Sequence, residues 1–232
     1  MNPLFLIPVV LIIAGIAFMI IMNKKHKTAE SEIDLDSERT KYHQYKQELL
    51  AQDFSKLAEW LKGKQIDAFT SASVPQSTTS KVQELVTDGI KNVALSAIGL
   101  KLKRVETECF WALSGSDLHF FSTDTVGELD EHIVFDNFRI EKARLQYGGI
   151  LKSQLGVYSR LSEEYLPKIH VITFDIDGSL LALEIHDRLN YMVDPQDMLN
   201  LKKQLKTRAK HQVVGENFVK ILQDKFPSLK VA

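Results

Sequence analysis

Cysteine is nearly missing: one, at position 109, in 232 residues. No internal disulfide can form, so a disulfide-stapled secreted scaffold is excluded and a reducing compartment fits. A surplus of either charge is missing too. The chain carries 29 Lys and Arg against 30 Asp and Glu, a formal net charge of −1. Nucleic-acid binders normally show a basic excess, so a nucleic-acid partner is not expected. The phosphate-cradling patterns GxGxxG and GxxxxGK[ST] are absent, as are the GxSxG nucleophile turn and the HExxH and CxxC metal spacings. The seven histidines (His26, His43, His119, His132, His170, His186 and His211) keep no metal-ligand spacing. Neither a cofactor nor a metal is expected. Cys109 lies beside Trp111 in an apolar stretch and reads as core, not as a nucleophile.

What the chain does have is one long oily run. Residues 3–22 read PLFLIPVVLIIAGIAFMIIM without an ionisable side chain. At about 1.5 Å per residue, a helix of that length spans roughly 30 Å, the hydrocarbon thickness of a bilayer. Lys24, Lys25, His26 and Lys27 follow, and no Lys or Arg comes before. The positive-inside rule then predicts a single-pass anchor over residues 1–23 in the cell membrane, with the N-terminus outside and the body in the cytoplasm. A cleaved signal peptide would need a charged leading segment and a small-residue cleavage site, and neither is seen. Ala14, Gly15 and Ala17 offer a close helix–helix contact, so a homodimer is a possible partner state.

Behind the anchor, residues 24–36 are expected to form a charged linker. Residues 37–99 are expected to be a helical segment packed on the body. Its first helix runs from Ser37 to about Lys62 on a stripe of Tyr42, Tyr45, Leu49, Phe54, Leu57 and Leu61, and stops at Gly63. Residues 70–79, TSASVPQSTT, read as a small-polar loop. Ser80 and Gln83 make a capping box for a second amphipathic helix, which carries Val82, Leu85, Val86, Ile90 and Val93 and ends at Gly99. From there the apolar period changes to two. Cys109, Trp111 and Leu113 alternate up to a turn at residues 115–117, and Leu118 and Phe120 alternate after it. Ile133 and Phe135 form a short strand, Asp136 and Asn137 a turn, and Phe138 and Ile140 open the next strand. Residues 148–167 give no clear signal.

Residues 168–187, KIHVITFDIDGSLLALEIHD, form the clearest hairpin. Asp177-Gly178 suits a two-residue turn, which sets Phe174 opposite Leu181 and Ile172 opposite Leu183. A final helix is expected from the cap Asp194 through Pro195, with Met198, Leu201 and Leu205 inward. Its outer face is basic, and Lys202, Lys203, Lys206, Arg208 and Lys210 are the possible lipid or partner surface. The body is thus set at residues 100–211, and residues 212–232 are expected to be a C-terminal helix and tail carrying Phe218, Val219, Ile221 and Leu222.

Within that hairpin, VITFDIDGSL resembles the first motif of haloacid-dehalogenase-type phosphatases. The resemblance implies Asp175 as nucleophile, Asp177 as acid/base and a bound Mg²⁺. That family continues through a loop and a helix, whereas SLLALEIHD alternates like a strand, so the hairpin is the expected reading.

Antiparallel strands followed by one capped helix, with FWALSGSDLHFFS and HIVFDNFRIEKARL, resemble bacterial PH/GRAM-like domains over residues 100–210. The resemblance implies an α+β fold, an antiparallel β-barrel or sandwich closed by its C-terminal helix. It also implies a non-enzymatic binding module. The expectation is therefore a membrane-tethered adaptor whose partner is another protein. An anionic-lipid sensor is the alternative, and a Mg²⁺ phosphatase comes third.

Overall fold

A computed structural model describes residues 31–75, 107–150, 166–176, 178–191 and 200–230, with scattered positions between 12 and 29. The protein is α+β. From residue 35 onward the described chain starts with three short helices: α1 (Leu35–Arg39), α2 (Tyr42–Ala51) and α3 (Ser55–Trp60). Then follow β1 (Ala68–Ser73), β2 (Cys109–Ser114), β3 (Asp117–Thr123), β4 (Leu129–Phe135), helix α4 (Asn137–Lys142), β5 (Arg144–Ile150), β6 (Lys168–Ile176) and β7 (Ser179–His186). Helix α5 (Leu201–Lys225) and a 3-10 turn (Pro227–Leu229) complete the described chain. The seven strands form one antiparallel sheet in the order β4-β3-β2-β1-β7-β6-β5.

This sheet rolls on itself. Phe135 on edge strand β4 stacks on Phe174 of β6, with ring centroids 3.9 Å apart. Trp111 of β2 lies 5.8 Å from Phe135 and 6.4 Å from Phe174. One inner core therefore collects side chains from all seven strands, and Phe218, Leu222 and Phe226 close one end of it. The roll stays open, because β4 and β5 do not pair. Helix α4 connects these two edges and presses Ile140 inward, fully buried.

The two halves of the sheet differ on their outer faces. Phe69, Phe110 and Phe121 point outward from β1, β2 and β3, and Leu49, Phe54, Leu57, Val213 and Val214 cover them. Strands buried on both faces lose their alternation, which is why CFWALS is buried at every position. On β5, β6 and β7 the outer face is partly bare, and alternation returns.

The expected β6–β7 register is observed: Phe174 pairs with Leu181 and Ile172 with Leu183. Ile176 faces Ser179 across the turn, and Gly178 has φ of 82°. Other expectations need correction. The expected helix at residues 37–62 is broken into α1, α2 and α3, with Lys62 and Gly63 both at positive φ. The expected loop at residue 70 is strand β1 instead. Its small side chains leave room for α5, and its hydroxyls serve neighbouring backbone. Thr70 donates to the His186 carbonyl at 2.7 Å, and the Ser71 hydroxyl accepts from Asn190 N at 2.8 Å. The first strand thus lies inside the segment expected to be helical. Residues 137–142, expected as turn and strand, are α4, because Asp136 caps the amide of Arg139. A closed barrel is not formed. One helix runs through the boundary expected at residues 211 and 212. The helix expected from Ser80 and the cap Asp194 lie outside the described residues.

The expected membrane span falls largely outside them as well. Its described positions, including Ile12, Ile16, Ile20 and Ile21, are helical, and those four side chains are exposed. Among the described residues no helix is long and apolar enough to cross a membrane.

Helix α5 and the segment after β7 meet at Gly215. A Cβ there would lie 2.3 Å from Arg188 Cα and 2.4 Å from Arg188 N. Around this crossing the buried groups are polar. Asp187 accepts the Lys168 amide at 2.9 Å, and the Arg188 guanidinium lies 3.6 Å from Asp187 and donates to Gln212 at 3.3 Å. Gln212 donates to Glu216 at 2.7 Å, and Glu216 receives Arg39 of α1 at 3.0 Å. Burial pushes Asp187 up to about 6, and burial holds His186 and His211 down to about 4.

Two predictions follow from this crossing. Gly215→Ala should destabilise the protein by roughly 2–4 kcal/mol in a denaturant titration, since the neighbour is backbone and cannot rotate away. At a free helix position the same change would stabilise by up to about 1 kcal/mol, so the sign alone tests the contact. Second, His186 and His211 bind protons more weakly folded than unfolded. Their contribution is complete above about pH 6.5 and is lost as pH falls to about 4, roughly 3 kcal/mol each. Asp187 acts oppositely, losing stability as pH rises through about 6, and offsets only part of it. Stability followed by circular dichroism should fall between pH 6.5 and 4.

Candidate functional site

The half-bare face of the sheet carries an open cleft of about 870 Å³ between α4 and the β6–β7 turn. Its placement follows from the pairing. Arg144 sits opposite Thr173, and Asp175 opposite Leu180, all on the outward side of their strands. Ile140 and Ala143 turn inward from α4, which leaves Phe138, Arg139 and Lys142 to line the cleft.

Three cations, Arg139, Lys142 and Arg144, share this cleft, and among the described residues none has a carboxylate partner. The nearby acids are engaged elsewhere. Asp136 accepts the Arg139 amide at 2.9 Å, Glu141 accepts Asn137 Nδ2 at 2.7 Å, and Asp175 accepts the Gly178 amide at 2.9 Å. The Lys142 ammonium lies 3.8 Å from the centre of the Phe138 ring. Phe138 and Leu180 are 63% and 75% exposed. The site therefore offers positive hydrogen-bond donors beside an aromatic ring and an aliphatic side chain. RIEKAR contained this signal as three cations in six residues, but a strand reading puts Arg139 on one face and Lys142 and Arg144 on the other.

The basic residues expected to form an outward surface on α5 are divided. Lys202, Lys203 and Lys206 are exposed, and Lys202 pairs with Glu32 at 2.7 Å. Arg208 is buried and donates to the Tyr191 hydroxyl at 2.7 Å. Lys210 pairs with Glu48 of α2 at 2.8 Å. The N-terminal helices take up part of this face.

Asp175 is a turn residue whose carboxylate holds the Gly178 amide. Asp177 lies outside the described residues. The chain after the turn is strand β7, not the loop and helix that the phosphatase resemblance implies. Burial, with Glu131 and Glu108 nearby, pushes the Cys109 thiol up to about 12 and keeps it protonated. His119 Nδ1 lies 2.8 Å from His132 Nε2, and burial holds His119 down to about 4. Ser73 Oγ donates to Glu184 and lies 2.8 Å from His186 Nε2. The donor and acceptor roles in the Ser73–His186 contact are set by the imidazole tautomer. Among the described residues no group of three or more His, Cys, Asp or Glu could hold a metal ion.

In comparisons with known proteins, the chain matches no family model, no curated protein and no solved structure.

If Asp175 only holds the turn, Asp175→Asn, which keeps an acceptor oxygen, should leave stability within about 0.5 kcal/mol of wild type. Asp175→Ala should cost about 1 kcal/mol in the same denaturant titration.

Proposed function

We propose that the protein is a membrane-tethered adaptor, a non-enzymatic binding protein whose body is a PH-like domain held at the cytoplasmic face. The strand order carries this reading. Strands β1 to β4 form a four-stranded meander, β5 to β7 a three-stranded one, and they join through β1 and β7. The C-terminal helix inserts Phe218 and Leu222 into the core between them. An antiparallel sheet followed by one long helix supports the PH-like reading of residues 100–210, although the first strand lies earlier, at residues 68–73. The tether rests on residues 3–22 and the lysines behind them. Helix α1 begins at Leu35, which leaves a short connection to the bilayer. Ile33 and Leu35 pack on Leu205 and Ala209, so the body is fastened to that connection by its own C-terminal helix.

The full chain should sediment with membranes and resist alkaline extraction, and removal of residues 1–23 should release it. Crosslinking in intact cells should then capture the same protein partner repeatedly. A chain that stays soluble, or a purified body that turns over a substrate and captures nothing, would refute this proposal.

A further inference from the structure

The cleft beside α4 holds charges that the fold leaves unbalanced. Arg139 and Lys142 are three residues apart on one helix, a spacing at which like charges repel, and Arg144 follows two residues later. The acids that could neutralise them are bound to an amide, a side-chain amide and a turn. Two exposed apolar side chains, Phe138 and Leu180, line the same cleft. Neither the inner core nor the apolar clusters around α1, α2 and α3 include them. Cations kept together without partners, beside apolar groups kept out of the core, form a surface complementary to an amphiphilic anion.

We propose that this cleft binds a phosphate-bearing ligand with an adjoining aromatic or aliphatic group, held by Arg139, Lys142 and Arg144 and flanked by Phe138 and Leu180. Guanidinium groups suit phosphate because their planar fork donates two parallel hydrogen bonds to it. The Thr173 hydroxyl lines the same wall and supplies a neutral donor. Asp136 and Asp175 also line the cleft and reduce the positive surplus to one charge. The site therefore selects by donor geometry more than by field strength. The phosphate can come from a soluble monoester or from a lipid headgroup. This inference does not depend on the tether or on the adaptor role.

The test uses the full chain in neutral detergent with phenyl phosphate as probe. Equilibrium dialysis should give a Kd below about 1 mM, and the double variant Arg139→Ala/Arg144→Ala should bind at least tenfold more weakly, about the loss expected for one or two phosphate contacts. Arg144→Gln alone is a milder variant, and an unchanged Tm certifies that either one is folded. Phe138→Ala should weaken phenyl phosphate but not inorganic phosphate. Hydrogen exchange in α4 separates the sources. Protection in nanodiscs containing phosphatidic acid, over phosphatidylcholine alone, identifies a headgroup; protection by phenyl phosphate only identifies a soluble ester. No saturable binding by about 10 mM with no protection in either nanodisc overturns the proposal, as does equal binding by wild type and the double variant. Protection by a phosphate-free acidic peptide alone also overturns it. Partner capture that persists after such a failure leaves the adaptor reading standing.

Discussion

Helix α5 can cross the segment after β7 only because residue 215 has no side chain. Glycine inside a helix costs about 1 kcal/mol in propensity, and here that cost permits backbone-to-backbone contact. Much of the structure depends on this contact. Helix α5 gives Leu205 and Ala209 to the N-terminal arm, Val213 and Val214 to the layer outside β1 and β2, and Phe218 and Leu222 to the inner core. Among the described residues it is the one element common to all three apolar clusters. Displacing it at Gly215 would disturb every layer at once and pull Gln212 away from the buried Arg188 guanidinium.

The sheet owes its asymmetry to the same helix. Where α5 and the N-terminal helices lie, both faces are covered and the strands are apolar or small throughout. Where they do not reach, β5 to β7 carry polar outer residues and a cleft. Covered and uncovered halves of one sheet thus differ in kind, the first packed on helices and the second left partly exposed.

This division also explains which features the sequence made legible. The β6–β7 hairpin could be read to the exact pair, because one bare face preserves alternation and Asp177-Gly178 marks the turn. The β2–β3 hairpin was legible for its turn at Gly115, although burial on both faces blurs its period. AFTSAS was not legible. Apart from Phe69 its residues are small where a helix packs on them, and small polar residues are also what loops use. FRIEKAR was misread because a six-residue helix is too short to establish a helical period. The cationic cleft could not be seen from spacing alone, since it depends on Asp175 and Leu180 being carried beside α4 by a distant hairpin. The basic run on α5 was legible as a helix face, but not as one partly claimed by Glu48 and Tyr191, which arrive from elsewhere in the chain.

The pairing of the first helices with the last sets an order for biosynthesis. Arg39 meets Glu216, 177 residues later, and Glu48 meets Lys210, 162 residues later. As the chain leaves the ribosome, α1 to α3 emerge first, and the aromatic side chains they will cover appear well before α5 exists. The early segment can pack on those aromatic side chains first, but its ion pair with α5 waits for a further 162 residues of synthesis. Contacts so distant in sequence close slowly, which makes the nascent chain's interval of exposure to chaperones and proteases a consequence of where the last helix docks.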